Sequence, residues 1–134
     1  GVKLIGTLDY ETGRIICTEE GAYDAAAFLR FLERTLREYP SGKIVMVLDN
    51  ARIHHAKLIQ SFLEENAGRL ALIFLPPYSP QLNLMEGVWK WLKESVINNV
   101  FFDHVQKIKQ AVRGFLADVN GRPLEVIDRL CVRM

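Results

Sequence analysis

Cysteine is nearly absent from this chain of 134 residues. Cys17 and Cys131 are too few and too far apart for a disulfide framework or a thiolate metal site, and they suit a reducing cytoplasm. Neither sign of charge dominates. Seventeen Lys and Arg against sixteen Asp and Glu leave a net charge of +1 and a pI near 8.0, so the strongly basic surface that by itself announces nucleic-acid binding is lacking. That balance neither supports nor excludes DNA, since a cluster of acids lowers the sum while cations stay grouped locally. No apolar run is long enough to span a membrane and no leader is visible, which predicts a soluble chain kept in the cytoplasm. Repeats, linkers and low-complexity stretches are also missing, so one domain is expected over residues 1–134. What is present, 49% apolar residues with a quarter charged, is enough to bury a core.

The order of elements follows from periodicity. Lys3 to Leu8 and Arg14 to Thr18 are short β-rich runs around Asp9-Tyr10-Glu11-Thr12-Gly13, which predicts a hairpin with a solvated acidic turn. Asp24 suits the cap of a helix whose stripe is Phe28, Phe31, Leu32 and Leu36, stopping before Pro40. Ile44 to Leu48, all aliphatic or Met, predict a strand buried on both faces. Residues 55–67 read as a helix with Ile59, Phe62 and Leu63 inward and Gly68 as its stop, and Leu70 to Leu75 as a second buried strand. After Pro76, Pro77 and Pro80, Gln81 to Asn98 takes helical spacing with Met85, Val88, Trp89, Leu92 and Val96 as its stripe. Asp103 suits the cap of a last long helix with Val105, Ile108, Val112, Phe115 and Val119 inward; a turn at Asn120 to Pro123 and a short amphipathic segment follow. Alternating strands and helices predict an α/β class with a parallel portion, right-handed crossovers and the hairpin adding antiparallel strands.

Two acids stand out in this order. Asp49 sits at the carboxyl end of the 44–48 strand, where ligands gather in open α/β sheets. Glu86 lies near the start of a helix, and spacings of 3, 4 and 3 put Asn83, Glu86, Lys90 and Lys93 on one face, away from the apolar stripe. Two carboxylates brought together repel unless a cation sits between them. Hard oxygen ligands few in number suit Mg²⁺ or Mn²⁺ rather than Zn²⁺. The chemistry that such a pair serves is phosphoryl transfer, in which metals steady the attacking and leaving oxygens of an in-line displacement.

The strings LDNARIHHAK and FLPPYSPQLNLMEGVWKWLK resemble the catalytic core of the mariner-type DDE transposases of insertion sequences. The resemblance runs from about Leu4 to Lys93. It implies a ribonuclease H-like mixed sheet with flanking helices, Mg²⁺ or Mn²⁺ as cofactor, DNA at transposon ends and targets as partner, and a homo-oligomer. It implies that Asp49 and Glu86 are the second and third catalytic acids and hold metal, with Asn50 and His54 in the matching strand-end motif. Leu84 stands where the family usually has proline, which touches the helix start rather than the acid. The family's first acid lies on a strand upstream of the hairpin, so the resemblance implies a sheet without its first strand and a chain inactive by itself. Asp9 falls on the hairpin rim, not on that strand. Without the first strand, either the hairpin pairs directly with 44–48 or another chain fills the gap.

Each candidate has a plainer alternative. Asp49 can cap a turn, and Glu86 can be a solvated residue favoured by the helix dipole. Asn50 and Asn83 can support metal-bound water or the acids, or can be caps; His54 can orient a phosphate or water, while His55 reads as structural. Arg52, Lys57, Lys90 and Lys93 are candidate DNA-phosphate contacts or cations on a wet face. Tyr78 and Trp91 are candidate stacking platforms, and Trp89 reads as core. Two rival functions remain: a transposase-derived fragment that folds, oligomerises or binds DNA without cutting it, and a receiver-like domain phosphorylated on Asp49. The second lacks the acid cluster that would hold Mg²⁺ and leaves Glu86 unexplained.

Overall fold

The computed structural model describes residues 3–76, 84–97 and 105–130. The elements are β1 (Lys3–Leu8), β2 (Ile15–Glu20), α1 (Ala25–Glu38), β3 (Ile44–Leu48), a 3₁₀ turn (Arg52–His55), α2 (Lys57–Glu65), β4 (Leu70–Phe74), α3 (Leu84–Leu92), a π-helical turn (Lys93–Ile97), α4 (Val105–Asn120) and α5 (Pro123–Leu130). The alternation expected from periodicity is therefore present. Two compact units contain it: one of Lys3–Ile5 with Thr18–Asn83, the other of Gly1–Val2, Gly6–Cys17 and Leu84–Met134. No helix among the described residues is long and apolar enough to cross a membrane.

In the first unit, α1 forms as its sequence dictates. The Asp24 side chain accepts from the Ala27 N–H at 2.8 Å, an N-cap that satisfies one of the first turn's orphan donors. Ala27, Phe28, Phe31 and Leu32 are buried on one stripe, each large side chain stabilising the fold by roughly 1.5–3 kcal/mol. The Arg69 guanidinium answers the other end, donating to the carbonyls of Leu36 and Gly42 at 3.4 and 3.3 Å and to that of Tyr39. A cation at these carbonyls complements the helix dipole, and Gly42, at φ +82°, makes the turn that only glycine adopts readily. Helix α2 begins two residues later than expected and stops at Asn66 instead of Gly68. The Asn66 backbone and side chain both donate to the Phe62 carbonyl, at 3.1 and 2.8 Å.

Strands β3 and β4 pair in parallel, Ile44 opposite Leu70 through Leu48 opposite Phe74. Here burial on both faces is corrected. Met46 and Leu48 are buried, but Val45 and Val47 are each 53% exposed, as is Ile73 opposite Val47. The pleat sends alternate side chains to opposite faces, and only one of those faces is covered. Among the described residues the hairpin does not pair with β3, one of the two ways expected for the gap to be filled. The strands form two separate two-stranded sheets, β1 with β2 and β3 with β4. Among the described residues the edge of β3 away from β4 has no strand beside it.

The second unit is mostly helical. Val88, Leu92, Val112, Phe115, Val119 and Val126 are buried within it, the stripes expected for α3 and α4 together with a residue of α5. Helix α3 gives way at Lys93 to a π-helical turn instead of running on. Pro123 opens α5 at the position where a missing N–H costs nothing. Asn120, read from sequence as part of a turn, ends α4, and its amide acts as a strand would. Its Oδ1 accepts from the Ile15 N–H at 2.8 Å and its Nδ2 donates to the Ile15 carbonyl at 2.9 Å. The expected cap Asp103 lies outside the described residues.

Candidate functional site

The first candidate acid stands at the carboxyl ends of β3 and β4. Asp49 follows β3 directly, and the Leu75 N–H donates to the Leu48 carbonyl at 2.8 Å, closing the parallel pair beside it. The chain then turns sharply. Asp49 Oδ1 accepts from the Ala51 N–H at 3.2 Å, an aspartate turn of the kind its short side chain favours. The 3₁₀ turn that follows brings His54 back beneath the strand end, where Nδ1 lies 3.0 Å from the Asp49 carbonyl and 3.4 Å from its Oδ1. His54 is only 4% exposed, its ring 4.4 Å from Phe28 and 6.4 Å from Phe74. Its Nε2 meets the hydroxyl of Tyr23 at 2.7 Å. Burial, and then the charge of Asp49, push the Tyr23 phenol above its ordinary value.

The Asp49 side chain is 65% exposed. With Oδ1 held by Ala51 and close to His54, Oδ2 has no partner among the described residues and is free to take a cation. Beside it, Asn50 Oδ1 contacts His55 Nε2, and the His55 ring lies 4.3 Å from Phe74. Asn50 thus orients a histidine ring here, and His55 is the structural residue its plainer reading gives. Arg52 and Lys57 are exposed on the turn and the first residue of α2.

The second candidate acid stands on α3, in the other unit. Glu86 occupies the first turn, exposed and without a charged partner among the described residues. A carboxylate there is favoured by the helix N-terminus. Lys90 and Lys93 are exposed as well. The tryptophans do structural work. A Cβ on Gly6 would stand 2.9 Å from the Trp89 ring, and Trp91 meets Phe115 edge-to-face at 5.5 Å. Trp91 is therefore a packing residue, which its position off the apolar stripe did not reveal. Asn83 and Tyr78 lie outside the described residues.

Asp49, Asn50, Arg52, His54 and Lys57 thus belong to the first unit, and Glu86, Lys90 and Lys93 to the second. Among the described residues no three His, Cys, Asp or Glu side chains form a metal-holding group. Asp49 and Glu86, each exposed within its own unit, carry oxygen donors, the kind that suits Mg²⁺ or Mn²⁺ and not a thiophilic ion. Asp9 is occupied elsewhere: its Oδ1 accepts from the N–H groups of Glu11 and Thr12 at 2.9 and 3.2 Å within the hairpin turn. Tyr23 is the residue that sequence reasoning missed. Thirty-one positions separate it from His54, and no local pattern links a tyrosine before a helix cap to a histidine after a strand.

Residues 1–109 match the family of DDE superfamily endonucleases. An insertion element IS630 protein of 39 kDa from Shigella sonnei is 31% identical over 121 residues, covering 90% of this chain and 35% of that protein. A protein of Sinorhizobium fredii is 34% identical over 58 residues, 43% of this chain and 39% of its own length. The chain thus spans little more than a third of the curated relatives it matches. Among solved structures, the catalytic domain of Mos1 mariner transposase superposes with a TM-score of 0.69 at 18% identity, covering 96% of this chain and 70% of that one. The same domain solved with Raltegravir and Mn gives 0.71 at 15% identity, covering 99% and 77%. The Mos1 paired-end complex with the left transposon end gives 0.70 at 18%, covering 95% and 43%. The fold is therefore the ribonuclease H-like one of that catalytic domain, here with its strands in two small sheets.

Proposed function

The chain belongs to the DDE superfamily endonucleases, and on that premise we propose that it is the catalytic domain of an insertion-element DNA transposase, its two units acting as one domain over residues 1–134. The reaction is metal-dependent hydrolysis of a DNA phosphodiester followed by transfer of the cut strand. The observation that carries this reading is Asp49, exposed at the carboxyl end of a parallel strand pair with one carboxylate oxygen held and the other free. Asp49 and Glu86 would hold Mg²⁺ or Mn²⁺. Once bound, the ion polarises the phosphate and lowers the pKa of the attacking water.

The remaining residues bind and orient. His54 and Asn50 fix the turn that carries Asp49, and Asn83 would precede Glu86 in the same supporting role. Arg52, Lys57, Lys90 and Lys93 supply cations for the phosphates of transposon ends and target, contacts that set position and not sequence. The partners are DNA and further copies of this chain, in the cytoplasm at the nucleoid.

Nicking of supercoiled plasmid with Mn²⁺ tests the reading. The chain alone is expected to cut little, and whatever cutting is seen should be lost in Asp49→Asn and in Glu86→Gln; a nuclease indifferent to both acids would overturn the reading. One observation favours a second reading, a transposase-derived chain that folds and self-associates or binds DNA without cutting. Asp9, the acid nearest in sequence to where the family's first one would lie, has its Oδ1 engaged by two N–H groups of its own turn. A folded chain that binds Mn²⁺ and DNA but leaves plasmid intact would establish that reading.

A further inference from the structure

Tyr23 touches neither acid, yet the structure ties it to one of them through a buried ring. A carbonyl oxygen can only accept, so the 3.0 Å approach of His54 Nδ1 to the Asp49 carbonyl puts the proton on Nδ1. In the neutral ring Nε2 is then bare, and the Tyr23 hydroxyl at 2.7 Å must donate to it. Phe28 at 4.4 Å and Phe74 at 6.4 Å flank the ring, which is 4% exposed. Imidazole without a partner prefers its proton on the other nitrogen. The tautomer that serves Asp49 therefore has to be imposed, and the Tyr23 hydroxyl is the only group seen at Nε2 among the described residues.

We propose that Tyr23 is a positioning residue for metal binding: its hydroxyl locks His54 with the proton on Nδ1, which holds the backbone carbonyl of Asp49, while the Ala51 N–H holds Oδ1 and Oδ2 is left presented to the ion. The inference rests on the reading of Asp49 as a metal ligand. It adds a residue outside the strand-end motif and a direction for the hydrogen-bond chain, from Tyr23 through His54 to Asp49. The raised Tyr23 pKa accords with it, since partial desolvation and the nearby Asp49 carboxylate keep the phenol, itself 46% exposed, neutral and able to donate.

Two measurements on the whole chain test this. Long-range ¹H–¹⁵N spectra of the His54 ring report its tautomer without metal, and titration with Mn²⁺ alone, followed by the free-ion electron paramagnetic resonance signal, reports affinity. Tyr23→Phe should move the ring away from the Nδ1–H form and weaken Mn²⁺ binding about tenfold, the order of effect of groups that orient a metal ligand. Tyr10→Phe, at an exposed tyrosine, should change neither. His54→Asn places an amide donor where Nδ1 stood, so adding Tyr23→Phe to it should cost no further affinity. If the wild type binds Mn²⁺ and Tyr23→Phe binds it equally, or if the tautomer stays put, the lock is wrong. A wild-type chain that takes up no Mn²⁺ overturns the metal reading of Asp49 and the inference with it.

Discussion

Two aspartates show how the same side chain is put to different use by its surroundings. Asp9 and Asp49 each accept a backbone N–H two residues on, at 2.9 and 3.2 Å. Asp9 Oδ1 takes a second N–H, from Thr12, and so closes its turn. Asp49 Oδ1 instead lies near the His54 ring, which leaves the rest of the carboxylate outward. Asp9→Ala should therefore cost about 1 kcal/mol of stability, the worth of the lost turn hydrogen bonds, with Mn²⁺ affinity unchanged in the same titration. Tyr23 gives a pH dependence whose sign is fixed by its cause. Its pKa is raised above 10.0, first by burial and then by Asp49. The folded state thus holds the phenolic proton longer than the unfolded chain does, so this contribution to stability is complete below pH 10 and is lost as pH rises through the folded value. Absorbance at 295 nm should show Tyr23 titrating later than in the unfolded chain. Tyr23→Phe should abolish that late step and flatten the loss of stability above pH 10. Asp49→Asn should lower the late step only in part, because burial is the larger cause.

At the scale of elements, close approach and edge closure tie Gly6 and Ile15 to helices of their own unit. A Cβ at Gly6 would stand 2.8 Å from Met85 Cε and 2.9 Å from the Trp89 ring. The methionine end can swing aside; the indole cannot. Gly6→Ala should therefore cost about 1–3 kcal/mol by overpacking, read as a lower urea midpoint at unchanged slope, and Met85→Ala should relieve only part of it. Asn120→Ala leaves the Ile15 N–H and carbonyl without their side-chain partner and should cost about 1–3 kcal/mol. Such contacts mark what was legible in the chain. The Asp24 cap, the apolar stripes of α1 and α4 and the strand ending at Asp49 follow from local chemistry, and each is present. The Asn120 clamp, the Tyr23–His54 bond and the Arg69 cap join residues 105, 31 and about thirty positions apart. Periodicity carries no information at that range. The unbroken apolar run at 44–48 misled for a related reason: it states what each strand face would accept, and the rest of the chain decides which face is covered.

For the whole molecule, that uncovered face is the feature with the largest consequence. Val45, Val47 and Ile73, each 53% exposed, stand together across the β3–β4 register, and among the described residues β3 also has a free edge. Contiguous apolar surface beside an unpaired strand edge is where another chain adds. The chain should therefore self-associate reversibly, with a weight-average mass in sedimentation that rises with concentration above 15.3 kDa. Val47→Lys separates this from loss of folding. A half-exposed valine contributes little to its own core, so the melting temperature should hardly move, while a charge on the face opposes association by the desolvation it would need. The variant should sediment as a monomer where the wild type does not. Wild type that stays monomeric at every concentration would leave the face uncovered in solution and remove self-association from the proposed partners, with the chemistry of Asp49 and Glu86 unaffected. A Val47→Lys chain that associates as the wild type does would move the contact off this face, to the edge of β3 or elsewhere.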